Sequence, residues 1–98
     1  MRVVAVGSRN FIMGFRLAGV RGVEAVDAKE ALLIVNKLMN DPEVGLIILS
    51  EELAFEIRNE INEIRSKKSM PLIYVSPSPS KSKKSMDYRA LLRQVLGI

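Results

Sequence analysis

Side chains able to do chemistry gather at four short turns of this chain: Gly7-Ser8, Asp27, Ser50-Glu51-Glu52 and Ser76-Pro77. Each turn follows an apolar run, and open α/β sheets hold their ligands at the carboxyl ends of strands. The chemistry on offer is thin. A phosphate cradle needs several glycines opening onto a helix, and Gly7 stands alone. Ser50 has the hydroxyl of a nucleophile, but the chain has no histidine to activate it and no cysteine to replace it. Glu51 and Glu52 read as first-turn charges that favour a helix dipole. Histidine is also the commonest metal ligand, and its absence together with that of cysteine removes imidazole and thiolate ligands. No catalytic, cofactor-binding or metal-binding residue is therefore assigned, and no cofactor is expected.

The elements that would position those turns are legible. Val3-Val4-Ala5-Val6 reads as a strand buried on both faces, because nothing alternates. Ser8 or Asn10 then caps a first helix. Val23-Glu24-Ala25-Val26 is a short strand whose single charge suits a sheet edge. Asp27 with Glu30 makes a capping box for a second helix, which keeps its apolar spacing from Ala28 to Met39 and ends at Asn40-Asp41-Pro42. Leu46-Ile47-Ile48-Leu49 is the most apolar run and the natural central strand. Ser50 caps a third helix with a buried stripe of Leu53, Ile57, Ile61 and Ile64, and Arg65, Lys67 and Lys68 fall at its carboxyl end. Pro71 enters a fourth strand, Leu72-Ile73-Tyr74-Val75, and also marks an edge.

This alternation predicts an α/β fold with a flavodoxin/Rossmann-like open parallel sheet and helices on both faces. The strands fall near 2–6, 23–26, 44–49 and 72–75, and the two edge signals give the order 2-1-3-4. The α/β domain occupies residues 1–75, and a Ser/Pro/Lys-rich linker follows over 76–85. Residues 86–98 form a tethered amphipathic helix, with Tyr88, Leu91, Leu92, Val95 and Leu96 at helical spacing.

Ninety-eight residues suffice for one domain with a small core. The absence of cysteine fits a reducing cytoplasm. No apolar run approaches the roughly 18 residues of a membrane span, and no signal-peptide pattern opens the chain, so any membrane association is indirect. The net charge of +4 lies wholly in the tail. Ten basic and ten acidic side chains cancel over residues 1–75, whereas Lys81, Lys83, Lys84, Arg89 and Arg93 face only Asp87 beyond them.

The most distinctive stretch is Gly14-Phe15-Arg16-Leu17-Ala18-Gly19, between the first two strands. Phe11, Phe15 and Ala18 set one helical face towards the sheet, and Gly19 suits the left-handed position that closes a helix. Gly14 is the oddity, because a glycine inside a helix costs about 1 kcal/mol relative to alanine. Arg16 has no acid three or four residues away, so its partner lies elsewhere in the fold or on another chain.

These six residues resemble the G-F-R-L-A-G signature of the F subunit of archaeal- and vacuolar-type (A/V-type) rotary ATPases. The likeness extends to the strand before them, the strand–helix alternation, the Pro-Ser-rich hinge and the final helix ending in Leu96-Gly97-Ile98. The resemblance implies a non-catalytic central-stalk component. It would bind the coiled-coil D subunit of the stalk and modulate the catalytic A–B head, where ATP is hydrolysed, through its C-terminal helix. Gly14 to Gly19 are then the candidate interface, and Tyr88, Arg89, Leu91, Leu92, Arg93, Val95 and Leu96 the candidate regulatory helix. Location would be cytoplasmic, peripheral to the membrane through the complex alone.

Two other readings stand beside it. A phosphoryl-acceptor receiver module would share the topology. It needs an aspartate after the third strand and an acidic pair after the first, where this chain has Ser50 and Gly7-Ser8, so only an acceptor-less version remains. A small basic RNA-binding protein would use the tail, yet only Tyr88 interleaves an aromatic among those charges, and nucleic acid is not the expected partner.

Overall fold

The computed structural model describes residues 2–77. Along the chain run β1 (Arg2–Gly7), α1 (Arg9–Leu17), β2 (Arg21–Glu24), α2 (Ala28–Met39), β3 (Val44–Ser50), α3 (Glu51–Glu56), α4 (Arg58–Lys67) and β4 (Leu72–Ser76). The four strands form one parallel sheet in the order β2-β1-β3-β4, with Val6 beside Val23, Val4 beside Ile47 and Leu49 beside Val75. The expected α/β class, strand order and direction are those found. Of the expected linker, Ser76 is instead the last residue of β4, paired with Ser50; the rest of the linker after Pro77 and the C-terminal helix, residues 78–98, lie outside the described residues.

Alternation along the strands sends neighbouring side chains to opposite faces. Val4, Val6, Ile47, Leu49 and Ile73 point into the larger core, closed by Ala31, Val35 and Leu38 of α2 together with Ala54, Ile57 and Ile61. Ala5, Leu46 and Ile48 point the other way, where Phe11, Ile12 and Phe15 of α1 cover them. Right-handed crossovers dictate this division. The step from β1 to β2 runs one way across the sheet and the two later steps run the other, so among the described residues α1 stands alone on its face. It lies over β1 and β2. On β4 that same face leaves Leu72 57% and Tyr74 36% exposed.

Two elements differ from the sequence expectation. The second strand begins at Arg21 and ends at Glu24, two residues before the predicted 23–26. The capping box at the start of α2 is the reason. Asp27 Oδ1 accepts from the Glu30 amide at 2.8 Å, and Glu30 Oε1 accepts from the Val26 amide at 3.0 Å, so Val26 turns towards the helix and stays exposed. The third helix is also two helices. Ile57, at φ −119° and ψ 27°, leaves helical geometry between α3 and α4. Its side chain stays buried with Ile61, which preserves the predicted apolar stripe across the break.

Candidate functional site

The crevice at the carboxyl ends of the strands is filled by the chain itself. A Cβ on Gly7 would lie 2.6 Å from a ring carbon of Phe11 and 3.0 Å from Ser50 Cβ, so the glycine makes room for the phenylalanine rather than for a phosphate. Ser8 caps α1, its hydroxyl accepting from the Phe11 amide at 3.4 Å. Ser50 caps α3 from a buried position, accepting from the Leu53 amide at 3.5 Å. Asp27 is committed to α2, and Ser76 is fully buried with its hydroxyl donating to the Pro77 carbonyl at 3.5 Å. Among the described residues no group of three His, Cys, Asp or Glu side chains is placed to hold a metal ion. Each polar turn thus has a capping or packing role.

The hexapeptide Gly14–Gly19 turns out to close a helix. Ala18 is the C-cap, Gly19 follows at φ +87°, its amide donates to the Arg16 carbonyl at 3.0 Å, and the Val20 amide donates to the Phe15 carbonyl at 2.9 Å. That pair of bonds is a Schellman motif, and Phe15 and Val20 add its apolar contact within one cluster. Gly14 and Phe15 are buried, and Phe15 stacks at a tilt on Phe11 with ring centroids 5.0 Å apart. Arg16 is exposed, and its Nη2 donates to the Gly22 carbonyl of β2 at 2.9 Å. A backbone oxygen six residues on is therefore its partner, and no acid among the described residues forms an ion pair with it. Gly22 allows the arginine to lie there, since a Cβ would come 2.8 Å from Ile12 Cβ and 3.2 Å from Arg16 Nε. Leu17 of the motif projects outward at 83% exposure, on the same helix side as Met13. The other residues named for regulation, Tyr88 to Leu96, lie outside the described residues.

A second outward surface escaped the sequence reading. Phe55 of α3 is 66% exposed, and the Arg58 guanidinium carbon sits 4.6 Å from its ring centroid. The signal was present in the spacing: Phe55 falls off the Leu53/Ile57/Ile61 stripe, with a cation three residues on.

Comparison with known proteins adds the context these surfaces lack. A family profile described as ATP synthase (F/14-kDa) subunit matches residues 3–94. The chain is 41% identical over 66 residues to the F subunit of the Methanococcus aeolicus A-type ATP synthase, covering 66% of this chain and 67% of that one. It is 32% identical over 99 positions to the F subunit of the Methanothermobacter thermautotrophicus A-type ATP synthase, covering 98% and 92%. The corresponding F subunit of Methanocaldococcus jannaschii is 28% identical over 99 positions, covering 100% of this chain and 97% of that protein.

Proposed function

The chain belongs to the family of ATP synthase (F/14-kDa) subunits, and from that membership we propose that it is a non-catalytic central-stalk component of an A/V-type rotary ATPase. One observation carries the reading: the family match runs from residue 3 to residue 94, through the α/β domain and into the basic tail. The filled crevice supports it, because a sheet whose ligand position is occupied by Phe11 and by helix caps suits a scaffold.

In this reading the α/β domain binds the coiled-coil stalk subunit. Residues 77–85, after the buried end of β4 at Ser76, act as a tether, and residues 86–98 act as an amphipathic helix that reaches the catalytic A–B head and modulates its turnover. The half of the α1-side sheet face that α1 leaves open, with Leu72 and Tyr74 exposed, offers that helix a resting place. Five apolar side chains on the helix, each worth roughly 1.5–3 kcal/mol when buried, favour such a contact over water. None of the described helices is long and apolar enough to cross a membrane, so membrane association comes through the complex.

Co-expression of the full chain with the coiled-coil subunit and the A and B subunits tests this. The expected result is a stable pair with the coiled-coil subunit. Removal of residues 86–98 should leave that pair intact and change the ATP turnover of the assembled head. A wild-type chain that forms no complex with the coiled-coil subunit overturns the stalk reading. Unchanged turnover after removal of the tail overturns the regulatory role.

A further inference from the structure

The joint between α3 and α4 presents a surface that folding of the domain leaves unused. At Ile57 the helix breaks, and beside the buried Ala54 and Ile57 the Phe55 ring faces outward. Arg58 holds its place over that ring by donating Nη1 to the Phe55 carbonyl at 2.8 Å. From there an open cleft of about 210 Å³ runs to β4, lined on its apolar floor by Ala54, Ile61 and Val75. Small-molecule sites occupy roughly 300–1,000 Å³, so this cleft suits the side chains of a docked segment better than a cofactor.

Charge narrows the occupant. Arg58 and Arg65 border the cleft and Glu51 is the one acid that lines it; Glu52, Glu56, Glu60 and Glu63 of the same helices do not. The chain's own tail carries five basic residues and one acid beyond residue 75, so it meets like charge here. Spacing narrows it further. Arg58 and Arg65 are seven residues apart on α4, two turns or about 10.5 Å along its axis. Seven residues is also the repeat of a coiled coil, in which side chains one heptad apart share a face. Arg65 donates Nη2 to the Ile73 carbonyl at 2.6 Å, which fixes the guanidinium beside the cleft while only one of its five N–H donors is used in that bond.

We propose that the cleft between α3, α4 and β4 is the seat of the coiled-coil partner. An acidic pair one heptad apart on that partner faces Arg58 and Arg65, and an apolar side chain between them packs on Phe55 and Val75. The proposal rests on the stalk reading for the existence of that partner and adds where on this chain it docks and by what chemistry.

Titration calorimetry of the full chain against the full-length coiled-coil subunit, at two salt concentrations, tests it. Phe55→Ser and Arg58→Glu alter exposed side chains, and thermal melting verifies that both variants fold. Each should weaken binding roughly 10- to 100-fold, as truncation of an aromatic or arginine anchor does. Arg58→Glu should also flatten the salt dependence, while Leu17→Ser and Arg16→Ala on the opposite face bind like the unaltered chain. Wild-type affinity in Phe55→Ser and Arg58→Glu, with the loss appearing in Leu17→Ser or Arg16→Ala, overturns the proposal and moves the seat to α1. Absence of binding by the unaltered chain overturns the stalk reading and this proposal together, and is distinct from binding that ignores the cleft.

Discussion

The two faces of the sheet solve the same problem with unequal means. Three helices cover one face, and their apolar side chains interlock with Val4, Val6, Ile47, Leu49 and Ile73. Among the described residues a single nine-residue helix covers the other, through the buried side chains of Phe11, Ile12 and Phe15. The difference shows why the hexapeptide is built as it is. A lone helix must stop where it can still pin both β1 and β2, and the Schellman turn at Gly19, with Arg16 laid on Gly22, joins α1 to β2 within three residues. Large aromatic side chains then supply on the thin face what number supplies on the crowded one. Among the described residues, the consequence is that Leu72 and Tyr74 of β4 stay exposed on that face.

Substitutions can break or sharpen this contrast. Phe15→Ala should have the largest effect, about 3–5 kcal/mol of unfolding free energy for a fully buried phenylalanine. It should exceed Leu38→Ala on the crowded face, where Leu38 keeps 8% exposure and many neighbours share the cavity. Urea denaturation of the two variants decides this, and equal losses would show that the thin face is no more dependent on single side chains.

Gly22→Ala comes next. The added methyl would sit 2.8 Å from Ile12 Cβ, and such overpacking costs about 1–3 kcal/mol. Wild-type stability in this variant would mean that α1 can lift from β2 freely. On the other face, Asp27→Ala removes the cap of α2 and should cost about 1 kcal/mol in the same assay. The neighbouring strands and helices there make a larger loss unnecessary. The smallest effect belongs to Leu17→Ser, within about 0.5 kcal/mol, because its side chain is 83% exposed despite lying in the motif. A loss comparable with that of Phe15→Ala would assign Leu17 to the core.

Much of this could be read from the residues. The strand order followed from one charge, Glu24, and one proline, Pro71, because edge strands tolerate both and central ones do not. The caps at Asp27 and Ser50, and the first cap as Ser8 or Asn10, were visible because their side chains act locally, within three residues of sequence; the structure selects Ser8. What depended on tertiary packing was not visible. Strand β2 slipped two residues because its ends are decided by the capping box and by Gly22 under Arg16, and both compete with its apolar pattern. The break at Ile57 left no mark, since the apolar stripe continues through it and no glycine or proline stands there. The cleft beside Phe55 went unseen with it. The filled crevice was half legible: the missing histidine, cysteine and glycines excluded chemistry, but only the packing shows that Phe11 occupies the place.

Amide hydrogen exchange on the full chain, free and assembled with the coiled-coil subunit and catalytic head, tests whether residues 86–98 act as a tethered arm. Residues 86–96 should exchange much faster in the free chain than Leu46–Leu49 of the central strand, and gain protection in the complex. The exposed β4 residues Leu72 and Tyr74 should change with them. Protection of residues 86–96 in the free chain equal to that of the central strand, unaltered on assembly, would contradict a tethered regulatory arm and leave a static part of the domain.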